Sequence, residues 1–311
     1  MIKKTFLIIA IVFSVLFSIN ASKKKVLIAY IPITHALPLY VEKDLANGSF
    51  DKFNLELIKF GSWPELMDAL NTGKVDGASI LLPLGIKAKE QGIDLKAIAL
   101  GHRDGNVAIV SNDIVDLLAL KGKTFAIPHR LSAHNVLLLK MLEKGNMKYT
   151  DVNIVELPPP EMPAALAEKR ISGYLVAEPF GAKAVALGIG KVLFESKDIW
   201  QDSVCCGLVL RNDFIKKNKE IADEFITEYL NAGTYIDKNL EKSKTIIKNY
   251  IKVDDKVIDL SLKWISFRDL KIYQKDYDEL VKYLAGFGLI KNPPKYDDFV
   301  DNSFVDKIIK K

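Results

Sequence analysis

Two stretches of the chain align with each other without a gap, ninety-six positions apart. The offset pairs Pro64–Ala88 with Pro160–Ala184, and nine of the 25 aligned positions are identical. A solenoid requires three or more short units, so this single long duplication belongs to another kind of architecture. We predict two similar α/β lobes, which would enclose a cleft between them.

Strand-like and helix-like patterns alternate along both copies of the duplication. Apolar runs such as Val26–Tyr30 and Thr124–Ile127 have the composition of buried strands, and helical patterns such as Pro64–Asn71 lie between such runs. This alternation is typical of parallel, doubly wound sheets. Beyond a last strand at Cys205–Leu210 the pattern is almost wholly helical, and we expect this C-terminal tail to pack on the first lobe.

The predicted fold is therefore a two-lobed α/β protein with two doubly wound sheets, a two-crossing hinge and a helical C-terminal tail. The crossings are expected at Gly105–Ser111 and at about Ser203–Gly207. Lobe 1 would comprise residues 22–108 and 206–311, and lobe 2 residues 109–205. Hinge closure around a small ligand is the motion expected of such a fold.

The N-terminus has the pattern of a secretory signal peptide, predicted over residues 1–21. Lys3 and Lys4 precede a mostly apolar stretch, Thr5–Ile19, which ends in the small polar segment Asn20–Ser22. The alternative is a membrane anchor, but this stretch is shorter than the roughly 20 residues that span a bilayer. No cysteine in this region offers a lipid attachment site. The mature protein is expected to be periplasmic or secreted.

Charge and motifs exclude several classes of function. The formal net charge is +5, or +3 without Lys3 and Lys4, and the lysines are scattered, so we expect no nucleic-acid partner. The chain has no nucleophile elbow, Walker loop, dinucleotide fingerprint or zincin motif. These observations favour a binding protein over an enzyme. We expect this binding protein to be a monomer without a cofactor.

Polar side chains at the carboxyl ends of the predicted strands are the candidate ligand contacts, because ligands of doubly wound sheets bind at that edge. Helix N-termini follow these strand ends and favour an anionic or acceptor-rich ligand. The alternative roles are a helix cap for Ser132, a core position for Trp63 and, for Glu178, the tethering of backbone N–H groups instead of a ligand contact. The candidates are Thr34, His35, Trp63, Ser79, Ser132, His134 and Glu178.

A metal site is not expected from the sequence spacing. Cys205 and Cys206 are the only cysteines, and no histidine lies near them at ligand spacing. His35, His129 and His134 do not form a helical i, i+4 pair. Two buried free thiols are therefore favoured over a strained bridge between adjacent residues.

Two segments resemble a known family. Leu157–Ala184, with PPPEM followed by VAEPF, and Gly122–His134, GKTFAIPHRLSAH, are similar to segments of the solute-binding proteins of nitrate/sulfonate/taurine/bicarbonate ABC importers. The resemblance implies the type II periplasmic binding protein fold, a small polar or anionic solute and an ABC permease in the membrane as partner. It also implies that Ala133 and His134 contact the solute.

Two departures from the family pattern argue against nitrate. Ala133 stands where the nitrate binders have a threonine, and the lysine that they use near Trp200–Cys206 has no counterpart here. Sulfonates, other small organic anions and thiamine-precursor ligands stay open. The alternatives to transport are the sensing domain of a receptor and an enzyme related to the pyrimidine-synthesising proteins of thiamine biosynthesis.

Overall fold

The computed structural model describes residues 23–309, so the predicted signal peptide lies outside the described residues. The first five-stranded sheet has the order β2-β1-β3-β11-β4. Its strands are β1 (Lys24–Tyr30), β2 (Phe53–Lys59), β3 (Gly77–Leu81), β4 (Leu95–Leu100) and β11 (Cys206–Arg211). β1, β2 and β3 are parallel, whereas β11 runs antiparallel to β3 and β4.

The second five-stranded sheet has the order β10-β6-β9-β7-β8. Its strands are β6 (Asn106–Val110), β7 (Thr124–Ile127), β8 (Asn153–Glu156), β9 (Gly173–Ala177) and β10 (Lys191–Glu195). β7, β8 and β9 are parallel, and β6 is antiparallel to both of its neighbours. A small ribbon pairs β5 (Arg103–Asp104) with β12 (Ile265–Ser266).

Helices cover both sheets and form the tail. The first lobe contains α1 (Leu37–Leu45), α2 (Trp63–Asn71) and α3 (Leu82–Glu90), and the second contains α4 (Ala133–Lys144), α5 (Met162–Ala167), α6 (Phe180–Ala186) and α7 (Ser196–Ile199). The tail consists of α8 (Asn212–Lys217), α9 (Lys219–Lys238), α10 (Leu240–Ile247), α11 (Asp255–Trp264), α12 (Gln274–Gly286), α13 (Tyr296–Phe299) and α14 (Ser303–Ile309). No helix within residues 23–309 is long and apolar enough to cross a membrane.

The two sheets are topological copies of each other. When each is followed from its outer parallel strand, β2-β1-β3-β11-β4 matches β8-β7-β9-β6-β10. The duplicated sequence forms α2-β3-α3 in the first copy and α5-β9-α6 in the second. The predicted two-lobed α/β fold is therefore confirmed, and the two copies of the repeat occupy equivalent places in separate sheets.

The antiparallel strands differ from the sequence-based interpretation. Residues 105–111 were predicted to be a crossing, but β6 occupies Asn106–Val110 and is wholly buried in the second sheet. The predicted boundary between residues 108 and 109 falls inside this strand. In the sequence, the apolar run Val107–Val110 is the pattern that indicates this strand. The chain passes between the sheets over residues 101–105 instead.

The tail contacts both lobes. As expected, it packs on the first lobe, where α9 and α10 lie against α1. However, α11 packs on α6 and α12 packs on α4, and both of these partners belong to the second lobe. The tail therefore joins the two lobes through helices of each.

Candidate functional site

Strand order brings four donor side chains to one edge of the first sheet. His35 follows β1 and His102 follows β4, so both lie beyond carboxyl ends of parallel strands. Because β11 runs in the opposite direction, its first residue, Cys206, lies at this same edge, opposite Leu81 at the end of β3. Cys205 directly precedes it. We call His35, His102, Cys205 and Cys206 the donor cluster.

The donor cluster is compact and buried. One donor atom from each residue can be chosen so that all four lie within 4.8 Å of one another, and each residue is fully buried. The two Sγ atoms are 3.7 Å apart, and Cys206 Sγ is 3.5 Å from His35 Nδ1. The rings of His35 and His102 lie 3.5 Å apart between centroids. This is the one such group of His, Cys, Asp or Glu found among the described residues.

Hydrogen bonding fixes the tautomer of His35. Its Nε2 lies 3.0 Å from the carbonyl oxygen of Gly105. A carbonyl oxygen can only accept, so Nε2 carries the proton and Nδ1 directs its lone pair towards Cys206. Burial and the neighbouring His102 lower the pKa of His35 to about 4, which keeps the ring neutral at physiological pH.

The two thiols have different acidities. Burial opposes ionisation of Cys205, but the hydrogen bond from Cys206 and the adjacent His134 and His102 hold the pKa of Cys205 well below its usual value. Burial and the neighbouring Cys205 raise the pKa of the Cys206 thiol well above its usual value. Both cysteines are free, as predicted, and Cys205 is the thiol that ionises more readily.

The second lobe contributes His134 to the same place. It lies in the first turn of α4 and is only 1% exposed, with Nε2 at 3.9 Å from Cys205 Sγ. Ser132 caps this helix, because its Oγ accepts the backbone N–H of Asn135 at 3.2 Å. Ala133 is buried beside it. His134 of the second lobe therefore faces the donor cluster of the first lobe across the cleft.

Thr34, Ser79 and Glu178 have mainly structural contacts. The Thr34 backbone N–H donates to the Glu178 carbonyl across the lobes at 2.9 Å, and the Thr34 hydroxyl accepts from Ser261 at 3.2 Å. Glu178 Oε2 accepts the backbone N–H of Ala182 at 3.0 Å, which corresponds to the tethering alternative, whereas Oε1 has no hydrogen-bond partner among the described residues. Burial raises the pKa of Glu178 to about 8. Ser79 is buried in β3 opposite Leu208.

Trp63 lies apart from the donor cluster, at a cavity of about 250 Å³ between the two lobes. Among the described residues its Nε1 has no hydrogen-bond partner. His129 also lies here, with Nδ1 accepting the backbone N–H of Leu131 at 2.9 Å. The lining residues are Ile31, Gly61, Ser62, Trp63 and Pro64 from the first lobe and Pro128, His129, Glu156, Leu157, Pro158 and Pro159 from the second.

His102 was not selected as a candidate from the sequence. The proximity of His35 and His102 to the two cysteines was not predicted either. His102 follows the carboxyl end of β4 by two residues, so the strand-end rule that selected His35 also applies to it. Residues close to Cys205 and Cys206 in sequence include no histidine at ligand spacing. The fold brings histidines from residues 35 and 102, which lie more than a hundred positions away.

Comparison with known proteins assigns the family. Residues 20–249 match the profile of the NMT1-like family. The chain belongs to the NMT1-like family. A curated relative of this NMT1-like protein, the nitrate/nitrite binding protein NrtA of Nostoc sp. PCC 7120, is 27% identical over 250 residues, which cover 71% of the chain and 56% of NrtA. The chain spans between 34% and 56% of the length of the first curated relatives that it matches.

Solved structures agree with the fold. The zinc-bound ligand-binding component of an ABC-type import system from Staphylococcus aureus is 39% identical, with a TM-score of 0.87 over 92% of this chain and 99% of that one. The periplasmic aliphatic sulphonate binding protein SsuA from Escherichia coli is 19% identical, with a TM-score of 0.72 over 88% and 95% of the two chains. The predicted resemblance to nitrate- and sulfonate-type binding proteins is confirmed.

Proposed function

We propose that this NMT1-like protein is the extracytoplasmic solute-binding component of an ABC importer. The observation that carries the proposal is the donor cluster, which is buried between two lobes and faced by His134 from the second one. A solute held there would contact both lobes and both hinge crossings. The staphylococcal relative, itself a component of an ABC-type import system, supports the same role.

The charge of the site does not favour an anion such as nitrate or a sulfonate. Arg103, next to His102, directs its guanidinium away to the carbonyl oxygens of Asp269 and Lys271, each at 2.7 Å. Within residues 23–309, no Lys or Arg takes part in the hydrogen bonds of the donor cluster or contributes to the pKa shifts of His35, Cys205 and Cys206. The bound zinc of the staphylococcal relative makes a metal ion one of the solutes to test.

The remaining parts of the proposal concern location and partners. The predicted signal peptide would export the protein, which would capture its solute as a monomer and then dock on a membrane permease. The named relatives are binding proteins, and this supports a role without turnover. No nucleic acid takes part in this function.

The test is native mass spectrometry, with elemental analysis, of the protein purified from its own cells without chelators. We expect one small species per chain. When it is added back, it should decrease the radius of gyration in solution scattering and be recovered chemically unchanged. Turnover of the bound species would contradict the proposal and favour an enzyme. Uptake that is unchanged in cells lacking the protein would contradict the transport role.

A further inference from the structure

We propose that the captured solute is a thiophilic divalent metal ion of the zinc class, bound by His35, His102, Cys205 and Cys206. The inference names the solute of the proposed function, and it rests on that function for the import of the ion after capture. From the spacing of His and Cys in the sequence, no metal site was expected at these residues. The geometry of the donors, their hydrogen bonds and their burial each support it independently.

Two distances within the donor cluster match the edges of a tetrahedral zinc site. With Zn–S bonds of about 2.3 Å and Zn–N bonds of about 2.0 Å, a regular tetrahedron has S–S edges of about 3.8 Å and S–N edges of about 3.5 Å. The observed separations are 3.7 Å between the two Sγ atoms and 3.5 Å between Cys206 Sγ and His35 Nδ1. The four donors lie within 4.8 Å of one another, so no separation exceeds the corresponding edge of a tetrahedral site by more than about 1.5 Å.

His35 is oriented as a metal ligand. Its Nε2–H donates to the Gly105 carbonyl, and the opposite ring nitrogen faces the thiols. Ligating histidines regularly donate their second ring N–H to a carbonyl or carboxylate, which fixes the ring and its tautomer. Gly105 lies on the outgoing crossing between the sheets, so the ion would be coupled to the hinge through this hydrogen bond.

His102 gives the second, independent observation. It is fully buried, and neither of its ring nitrogens has a hydrogen-bond partner among the described residues. A buried polar group without a partner is costly, and each instance in a folded protein requires a reason. A ligand that accepts the lone pair of one nitrogen provides that reason.

The donor set selects the class of ion. Two thiolates and two imidazoles suit Zn²⁺, whereas Ca²⁺ and Mg²⁺ require carboxylate, carbonyl and water oxygens. Among the described residues, the group of clustered donors contains no carboxylate, and Asp104 Oδ1 accepts the backbone N–H of Ser203 at 3.2 Å. Two thiolates would also neutralise the charge of a divalent ion in this buried place.

The first experiment uses the reduced, chelator-treated wild-type protein. Zn²⁺ is titrated against a chromophoric chelator, and the loaded protein is studied by X-ray absorption at the zinc edge. We expect one ion per chain and a coordination shell of two sulfur and two nitrogen atoms. A shell of oxygen and nitrogen atoms without sulfur, or equal competition by Mg²⁺ or Ca²⁺, would overturn the site.

Variants test the individual donors. His102→Asn and Cys206→Ser should each lower the affinity for Zn²⁺ by at least about a hundredfold, because even outer partners of metal ligands contribute about ten- to a hundredfold. The matched control is His129→Asn, which alters a histidine outside the donor cluster and should leave the affinity unchanged. Equal losses in the control and in His102→Asn would overturn the assignment. If a variant does not fold, the X-ray absorption spectrum of the wild type still tests whether two sulfur and two nitrogen atoms bind the ion.

Two outcomes separate this inference from the proposed function. If the wild-type protein binds an organic solute and closes around it but does not bind Zn²⁺, the metal site is wrong and the solute-binding role stands. If it binds Zn²⁺ through two sulfur atoms while zinc uptake does not depend on it, the site is correct and the transport role is wrong.

Discussion

At the scale of single residues, His102 of the donor cluster and two residues outside it, Asn106 and His134, contain buried polar atoms that the fold itself does not satisfy. Within residues 23–309, both ring nitrogens of His102, both amide atoms of Asn106 and Nδ1 of His134 lack hydrogen-bond partners. Each unsatisfied buried group costs about 1–3 kcal/mol of folding free energy. Such a cost is tolerated where the residues serve a ligand rather than the stability of the fold.

His134 should act through Cys205 rather than as one of the four donors. We expect His134→Ala to leave the fold intact and to weaken Zn²⁺ binding by about ten- to a hundredfold, the range for a partner of a metal ligand. X-ray absorption should still count two sulfur atoms. Calorimetric titration of both proteins measures the change, and equal affinities would leave His134 as a helix-start residue only.

Ser132→Ala provides a comparison at the same helix end. Ser132 caps α4 through Asn135, so its loss should lower the free energy of unfolding by about 1 kcal/mol. Zn²⁺ affinity should change far less than in His134→Ala. Urea denaturation and the same titration separate the two effects.

At the scale of elements, α1 carries a buried acid against the tail. Glu42 is 2% exposed, and neither carboxylate oxygen has a hydrogen-bond partner among the described residues. Burial, with a smaller contribution from Glu228 of α9, raises the pKa of Glu42 well above 4.5. The folded protein therefore keeps this group protonated to higher pH than the unfolded chain does.

Glu42→Gln should stabilise the protein at neutral pH but not in acid. Below pH 4.5 the acid is neutral in both states, so the two proteins should be equally stable. As the pH rises above 4.5, only the unfolded wild-type chain ionises, and the wild type loses stability relative to the variant until the folded pKa is passed. Melting temperatures from pH 4 to pH 8 check this, and a constant difference would contradict it.

The contact between α4 and α12 joins the second lobe to the tail. Lys140 Nζ lies 2.7 Å from Glu279 Oε1 and also lies over the rings of Trp200 and Tyr283, at 5.1 and 4.8 Å from the centroids. The Lys140 side chain is 16% exposed, so water screens this contact only in part. It can form only when the second lobe and the tail approach each other.

Lys140→Met should therefore weaken solute binding without altering the site. Loss of the ion pair and the cation–π contacts removes about 1 kcal/mol from the closed form, or roughly a fivefold change in affinity. Lys144→Met is the matched control, because Lys144 on the same helix donates to the Asp198 carbonyl within the second lobe. Equal affinities of both variants in titration would exclude a role for this contact in closure.

At the scale of the whole molecule, the two lobes are separate sheets linked by two crossings and by the tail. A ligand bound between them stabilises only the folded, closed chain, by about 2.7 kcal/mol at a hundredfold excess over Kd. Zn²⁺ should therefore raise the melting temperature of the wild type, and a chelator should reverse the change. Cys206→Ser should show neither effect, and an equal response in this variant would locate the stabilising ion elsewhere.

The duplication and the local patterns determined the architecture. Strand and helix periodicity depends on residues a few positions apart, so β7 was predicted with the bounds that the structure has and β1 with the same last residue, Tyr30. The antiparallel strand β6 was not predicted because its apolar run was assigned to a crossing between the lobes, and β10 was not predicted either. The division into two α/β lobes did not depend on them.

The site was decided by the tertiary structure. The strand-end rule selected His35 and His134 from the sequence, but no local pattern relates them to Cys205 and Cys206. Their meeting depends on the antiparallel register of β11 between β3 and β4, which places Cys206 opposite Leu81. Sheet register is set by side-chain packing across strands distant in sequence. For this physical reason, the sequence determined the two lobes, and only the folded chain determined which donors share a site.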